Sequence, residues 1–411
     1  MAMNQRTLYK TIEKIAARQY DTDDAMLTAI LRQIINNDRT AITGGRIWKL
    51  DAEARLYELV HEEGTVQPIG IGFRIALKDY PIFREVALHR SVLAEETNRT
   101  LRRKGIMQYS ATGIGDRVLI AGLNYYEYLM AFDSPDASPA FKYLLSMAGQ
   151  AVTQMLSKRR SEAEVRELQN EMEHARDLQK LVLPQHEQRF GCFELYGVSL
   201  AERIVGGDFF NYLTFPDDVE RLGVAIGDAA SKGMPAAVQA LLVSGALMMS
   251  VEFESKITSM LRRINKINCS IFPNDRFLTL FYCEIFEGDT GMVLYANAGH
   301  SNPIQYHAAD ARCSELTVTG PVIGLLPDAR YTLANTTLER GDVLVLFTDG
   351  ITEANDGVDE YGERRLEEVI MRHAGECPKR ICQEILQDVQ TFSANGLYSD
   401  DKTLVVIKRT R

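Results

Sequence analysis

Apolar residues recur at helical spacing over residues 6–19 and again over 21–37, where Met26, Ile30, Leu31 and Ile34 share one face and Asp21 or Thr22 is placed to cap the start. Beyond them the period falls to two. RIWKL at 46–50, RLYELV at 55–60 and DRVLIAGL at 116–123 predict strands, separated by Gly44-Gly45, Gly64 and Gly113-Ile114-Gly115. A helix is predicted from Pro139 to Leu156. Helices, meander strands, a helical crossover and a closing helix predict an α+β module over 21–155, preceded by a helix within 1–20.

Between Leu156 and Arg189 the pattern changes again, with seven basic and seven acidic residues and no glycine, which favours a long exposed helix. Val165, Leu168, Met172, Ala175, Gln179 and Val182 follow a three-four spacing, so this linker, 156–189, predicts a parallel coiled coil and a homodimer. Pro184 ends it. From 190 to 411 the chain is β-rich (ELYGVSL, FFNYLTF, RLGVAIG, FLTLFYCEI, MVLYANA, VLVLF, TLVVIK), with helical stretches at 234–250, 256–268, 364–373 and 378–391. Strands and helices cluster instead of alternating, which predicts a β-sandwich flanked by helices.

Composition narrows the function. With 411 residues, 45% of them hydrophobic and 25% charged, the chain can build two or three real cores. Its 46 basic and 56 acidic residues leave a net charge of -10, which argues against wholesale binding to nucleic acid or an anionic membrane. The six cysteines have no C-x2-C spacing and predict reduced, mostly buried thiols. The start has no signal-peptide core, and the richest apolar stretch, Met234 to Val251, contains Gln239 and Ser244 and predicts a buried helix. A cytoplasmic protein without a membrane partner is expected.

The chemistry is concentrated in aspartates at strand edges: Asp208 in IVGGDFFNYL, Asp228 in LGVAIGDAASKG, Asp349 in VLVLFTDGITEA and Asp400 in YSDDKTLVVIK. One such residue is an ordinary turn or cap. Four converging edges would instead concentrate negative charge in an oxygen-only cluster, which calls for hard divalent cations. No His-x-x-x-His or cysteine pair points to zinc.

The ordered set GGDFF, GDAASKGMPAA, FLTLFYCEI with YANAGHSNP, GPVIGLL, FTDGITEA and SDDKT resembles the SpoIIE-like, RsbU-like branch of the PPM family of metal-dependent phosphatases, over residues 190–411. The resemblance implies a PPM-type β-sandwich, two Mn²⁺ or Mg²⁺ ions, and hydrolysis of phosphoserine or phosphothreonine by a water activated between them. It implies that Asp228 bridges both ions with the Ala229 carbonyl as a further ligand, that Asp349 and Asp400 bind one ion, and that Asp208 ligates or orients water. Arg203 stands where relatives often carry a basic residue, either to grip substrate phosphate with two hydrogen bonds or as an exposed surface arginine. Ala230 stands where some members place an acidic histidine, and His300 is expected to pack a turn.

Its implied substrate is a phosphorylated STAS-domain anti-sigma factor antagonist in a partner-switching pathway. A dimeric pseudophosphatase scaffold and a small-phosphoester hydrolase are the alternatives. The N-terminal layout resembles a GAF sensor domain. Trp48, Tyr57, Tyr80 and Phe83 there could line a small-molecule pocket or simply fill the core.

Overall fold

The computed structural model describes residues 14–410 except 16, 17, 19, 37–41, 66, 67, 97, 104, 105, 107, 135–137, 203, 254, 255, 274, 289 and 396–399. The helix expected over 6–19 lies almost wholly outside the described residues, as does Arg203. The chain divides into two compact units, 1–167 and 168–411.

In the first unit, helix α1 (Asp23–Ile35) starts at Thr22, whose Oγ1 accepts the Ala25 N–H at 3.2 Å. Strands β1 (Gly44–Asp51), β2 (Leu56–Gly64) and β3 (Arg74–Ala76) follow, then helix α2 (Pro81–His89), β4 (Ser91–Glu95), α3 (Arg99–Arg103), β5 (Gln108–Ile120) and β6 (Leu123–Asp133). They form one antiparallel sheet in the order β3-β2-β1-β6-β5-β4. Met26, Leu27, Ile30 and Leu31 of α1 pack on it in one apolar cluster, while Phe83 and Val86 of α2 join Trp48 and Tyr57 in another.

The strand expected over 116–123 is in fact a hairpin. The chain reverses at Ala121-Gly122, both at positive φ (49° and 83°), as a tight two-residue turn requires. Gly113 and Gly115 lie inside β5 and not in a loop: a Cβ on Gly113 would stand 2.1 Å from the Tyr126 ring, and the register shifts between Ile114 and Arg117.

Helix α4 (Pro139–Val182) is a single element where a closing helix and a separate linker were expected. No breaker interrupts the sequence before Pro184, so nothing ends the first helix at 156. Within the first unit, Arg159 and Arg160 both pair with Asp23 in the first turn of α1.

The second unit contains β7 (Glu187–Phe190), β8 (Phe193–Leu200), β9 (Phe209–Phe215), β10 (Asp218–Ala229), α5 (Met234–Glu252), α6 (Ile257–Ile271), β11 (Leu278–Phe286) and β12 (Met292–Ala298). It continues with β13 (Ile304–His307), β14 (Arg312–Glu315), β15 (Ala334–Thr337), β16 (Val343–Phe347), α7 (Asp349–Thr352), α8 (Gly362–His373), α9 (Pro378–Phe392) and β17 (Lys402–Arg409). Two antiparallel sheets, β15-β12-β11-β10-β9 and β14-β13-β16-β17-β8-β7, face each other across a core that includes Phe210, Val224, Phe281, Leu346 and Val405. Helices α5 and α6 cover the outer face of the first sheet, and α8 and α9 that of the second.

Helix α5 is long and apolar enough to cross a membrane by length and composition. Its alanines, Val243 and Leu247 instead pack on the sheet, and its two buried polar residues are used: Gln239 Nε2 donates to Asn268 at 3.1 Å and Ser244 Oγ to Asn211 at 2.9 Å. The cysteines are free thiols, but only Cys283 and Cys382 are buried; Cys377 is exposed, so the expectation of mostly buried thiols holds for a minority.

Candidate functional site

Sheet register brings the aspartates together at one end of the sandwich. Phe209 pairs with Gly227 across β9 and β10, which sets Asp208 beside the end of β10, where Asp228 and Ala229 lie. In the facing sheet Phe347 pairs with Leu404, and the Thr348 N–H donates to the Thr403 carbonyl at 3.1 Å, which places Asp349 beside Asp400. Asp228, Ala229, Lys232, Asp349, Asp400 and Asp401 line the cavity between the two sheet ends, of about 190 Å³. Asp208 lies deeper, almost fully buried.

Crowding shows in the proton affinities. Burial and the Asp228 charge hold the Asp208 carboxyl well above the usual carboxylate range. Burial and Asp349 raise Asp228 to about 7, and burial and Asp400 raise Asp349. Like charges in a partly desolvated space favour a bound cation, and an all-oxygen donor set fits a hard divalent ion. Gly207 keeps this corner open: a Cβ there would stand 3.2 Å from the Ala229 carbonyl oxygen. Among the described residues, no three His, Cys, Asp or Glu side chains converge within ligating reach of one point. Lys232 Nζ lies 2.9 Å from Asp400 Oδ2 and offsets part of the charge.

Several residues that the motifs do not single out hold this corner together. Thr348 Oγ1 donates to Asp208 Oδ2 at 2.7 Å and accepts the Thr403 N–H at 3.0 Å. Asp401 accepts the Gly207 N–H at 2.6 Å and the Glu202 N–H at 2.8 Å and so ties two distant backbone positions, while Asp400 accepts its neighbour's Asp401 N–H at 3.0 Å and faces Lys232. Gly350 has to be glycine, because a Cβ would stand 2.0 Å from the Asp401 carbonyl oxygen.

Gln179, expected in a dimer seam, is buried: its Nε2 donates to the Gly206 carbonyl at 2.7 Å, and its Oε1 accepts the Gly206 N–H at 3.3 Å. A polar residue at a seam position was the available signal. His300 is buried as a turn residue, with its N–H donating to Asn297 Oδ1 and its Nδ1 2.8 Å from Thr279 Oγ1. Burial depresses its pKa to about 4.

Comparison with known proteins agrees with this geometry. Residues 218–410 match the family model described as stage II sporulation protein E (SpoIIE). The chain is 28% identical over 247 residues to phosphoserine phosphatase RsbU of Bacillus subtilis, covering 59% of this chain and 71% of that one. It is 25% identical to protein IcfG of a Synechocystis species, covering 58% of this chain but only 41% of that longer one. Among solved structures, the SiaA-PP2C domain of Pseudomonas aeruginosa superposes with a TM-score of 0.51 at 17% identity, over 60% of this chain and 98% of that domain. At that identity the superposition shows the fold, a PP2C-like sandwich. Sequence match over residues 218–410, fold and acidic site thus agree in likening the C-terminal part of this chain to the SpoIIE family and to phosphoserine phosphatase RsbU.

Proposed function

We propose that this phosphatase removes phosphate from serine or threonine of a STAS-type anti-sigma factor antagonist in a partner-switching pathway, using two divalent ions held by Asp228, the Ala229 carbonyl, Asp349 and Asp400. The observation that carries the reading is that Asp228, Asp349 and Asp400 line one cavity at one end of the sandwich, the first two with raised proton affinities. Similarity to a phosphoserine phosphatase supports the substrate chemistry. Bound Mn²⁺ or Mg²⁺ would supply a water of lowered pKa and neutralise the phosphoryl oxygens. Asp208, oriented by Thr348, would position that water from below. With Ala230 where some family members have a histidine, the chain brings no imidazole to the leaving group at that place, which favours slow basal turnover.

The N-terminal unit is proposed to be a GAF-like sensor, and the exposed Val165 and Leu168 to pair with those of a second copy. The test is phosphate release with and without Mn²⁺ from a phosphorylated STAS protein, compared with p-nitrophenyl phosphate. Mn²⁺-dependent release from the protein at a higher kcat/KM is expected. Equal or better hydrolysis of the small ester would favour the phosphoester-hydrolase reading, and binding of the phosphoprotein without release would favour the scaffold.

A further inference from the structure

The first unit holds a cavity beneath α2, walled on the sheet side by Trp48, Ala111 and Leu129 and on the helix side by Tyr80, Phe83 and Val86. Two buried charges reach it, Arg46 and Glu96, 3% and 2% exposed. They differ in how their charge is met. Arg46 Nη1 donates to both oxygens of Asp133 at 3.1 and 2.9 Å, and its Nε lies 3.9 Å from Glu62, so two carboxylates offset one guanidinium. Glu96 accepts the Tyr80 hydroxyl at 2.7 Å and the Asn98 N–H at 2.7 Å, both neutral donors. Among the described residues no cation lies within ion-pair distance of it. The formal charge of this group, Arg46 against Asp133, Glu62 and Glu96, is therefore negative.

A buried carboxylate facing only neutral donors is costly, and a cation entering the cavity would offset that cost. Aromatic faces add to the same preference. Tyr80 and Phe83 meet edge to face at 4.7 Å, Trp48 lies on the opposite wall, and ring faces attract ammonium groups that come within about 6 Å. The volume sets the size: about 40 Å³ corresponds to about three waters, or one molecule of about four to six heavy atoms.

We propose that this cavity binds a small organic ammonium ion with a branched apolar body, its nitrogen at Glu96 and its carbons against Trp48, Phe83 and Leu129. The site is independent of the phosphatase chemistry.

Trp48 is the only tryptophan of the chain, so its fluorescence reports on this wall alone. The experiment titrates the full-length protein with isobutylammonium, isobutanol and isobutyrate, three probes of one skeleton that differ in charge. Isobutylammonium is expected to give a saturable change with an affinity at least about tenfold above the other two. Glu96→Gln keeps an oxygen for the Asn98 N–H and turns its NH2 to the Tyr80 hydroxyl, which can accept it, and should bring the amine down to the level of the alcohol. Ala111→Leu, which fills the cavity from β5, should abolish binding of all three whatever the fate of the first variant. No saturable signal from the amine up to about 50 mM would overturn the proposal. So would an alcohol or acid that binds as well as the amine, or a preference for the amine that survives Glu96→Gln.

Discussion

Replacing Thr348 by valine tests whether the acidic corner is held by its hydroxyl. Thr348 is fully buried, and valine keeps its shape while removing one donor and one acceptor. The lost donor served the Asp208 carboxylate at 2.7 Å, and a hydrogen bond to a charged group contributes about 1.5–3 kcal/mol. The lost acceptor leaves the Thr403 N–H without its 3.0 Å partner, at a further cost of about 1–3 kcal/mol. Because the two share one site and the surroundings relax, the sum is discounted to about 3 kcal/mol. For a unit of this size that lowers the melting temperature by roughly 6–12 °C.

Thr348→Ser keeps both bonds and loses one methyl, so it should cost no more than about 1.5 kcal/mol. Circular-dichroism melts of the metal-free protein read the stability, and phosphate release at saturating Mn²⁺ reads the function. Asp208 without its donor would lose orientation, and the valine variant is expected to lose about tenfold in kcat while the serine variant stays within about threefold. A valine variant within about 0.5 kcal/mol of wild type, or a serine variant as damaged as the valine one, would refute the reasoning.

Asp228→Ala or Asp349→Asn should each abolish Mn²⁺-dependent phosphate release without lowering the melting temperature of the metal-free protein, because each removes one of several crowded negative charges. Activity within about threefold of wild type at saturating metal would remove that residue from the site. His300 keeps its neutral form down to about pH 4 in the fold, whereas an unfolded histidine takes up its proton near pH 6.5. Its contribution to stability is thus complete above pH 6.5 and is lost as the pH falls towards 4, at most about 3 kcal/mol; urea midpoints should fall more steeply in wild type than in His300→Gln over that window, and parallel profiles would contradict it. Light scattering should find the full-length chain dimeric at micromolar concentration and a fragment starting at Arg189 monomeric, since Val165, Leu168, Leu178 and Leu181 are 53, 55, 65 and 80% exposed; a full-length monomer would reject pairing through the helix.

What the sequence settled was whatever depends on near neighbours in the chain. Period-two runs bounded by glycine marked strands of the first unit, apolar β-like runs marked those of the sandwich, Asp21 or Thr22 marked the start of α1, and aspartates at strand edges marked the residues of the acidic corner, because turn geometry and side-chain alternation act over a few residues. The reading failed where a local signal had two meanings. Gly113 and Gly115 punctuate a loop in most sequences, but here one makes room for the Tyr126 ring and the other bends a long strand, which only the partner strand decides. Strand β6 escaped notice because its run LNYYEYLMAFD buries residues on both faces and so lacks alternation.

Pairings between distant residues belonged to the tertiary structure alone. Thr348 meets Asp208 across 140 positions, Asp401 meets Gly207 across 194, and Gln179 leaves an apparent dimer seam to hold Gly206. The roles of Asp400 and Asp401 separate on the same ground: adjacent and identical in sequence, they differ because backbone amides from distant positions, Gly207 and Glu202, reach Asp401 while a lysine reaches Asp400. Composition and period carry no information on which buried donor finds which acceptor, since that is set by sheet register and the facing of two layers.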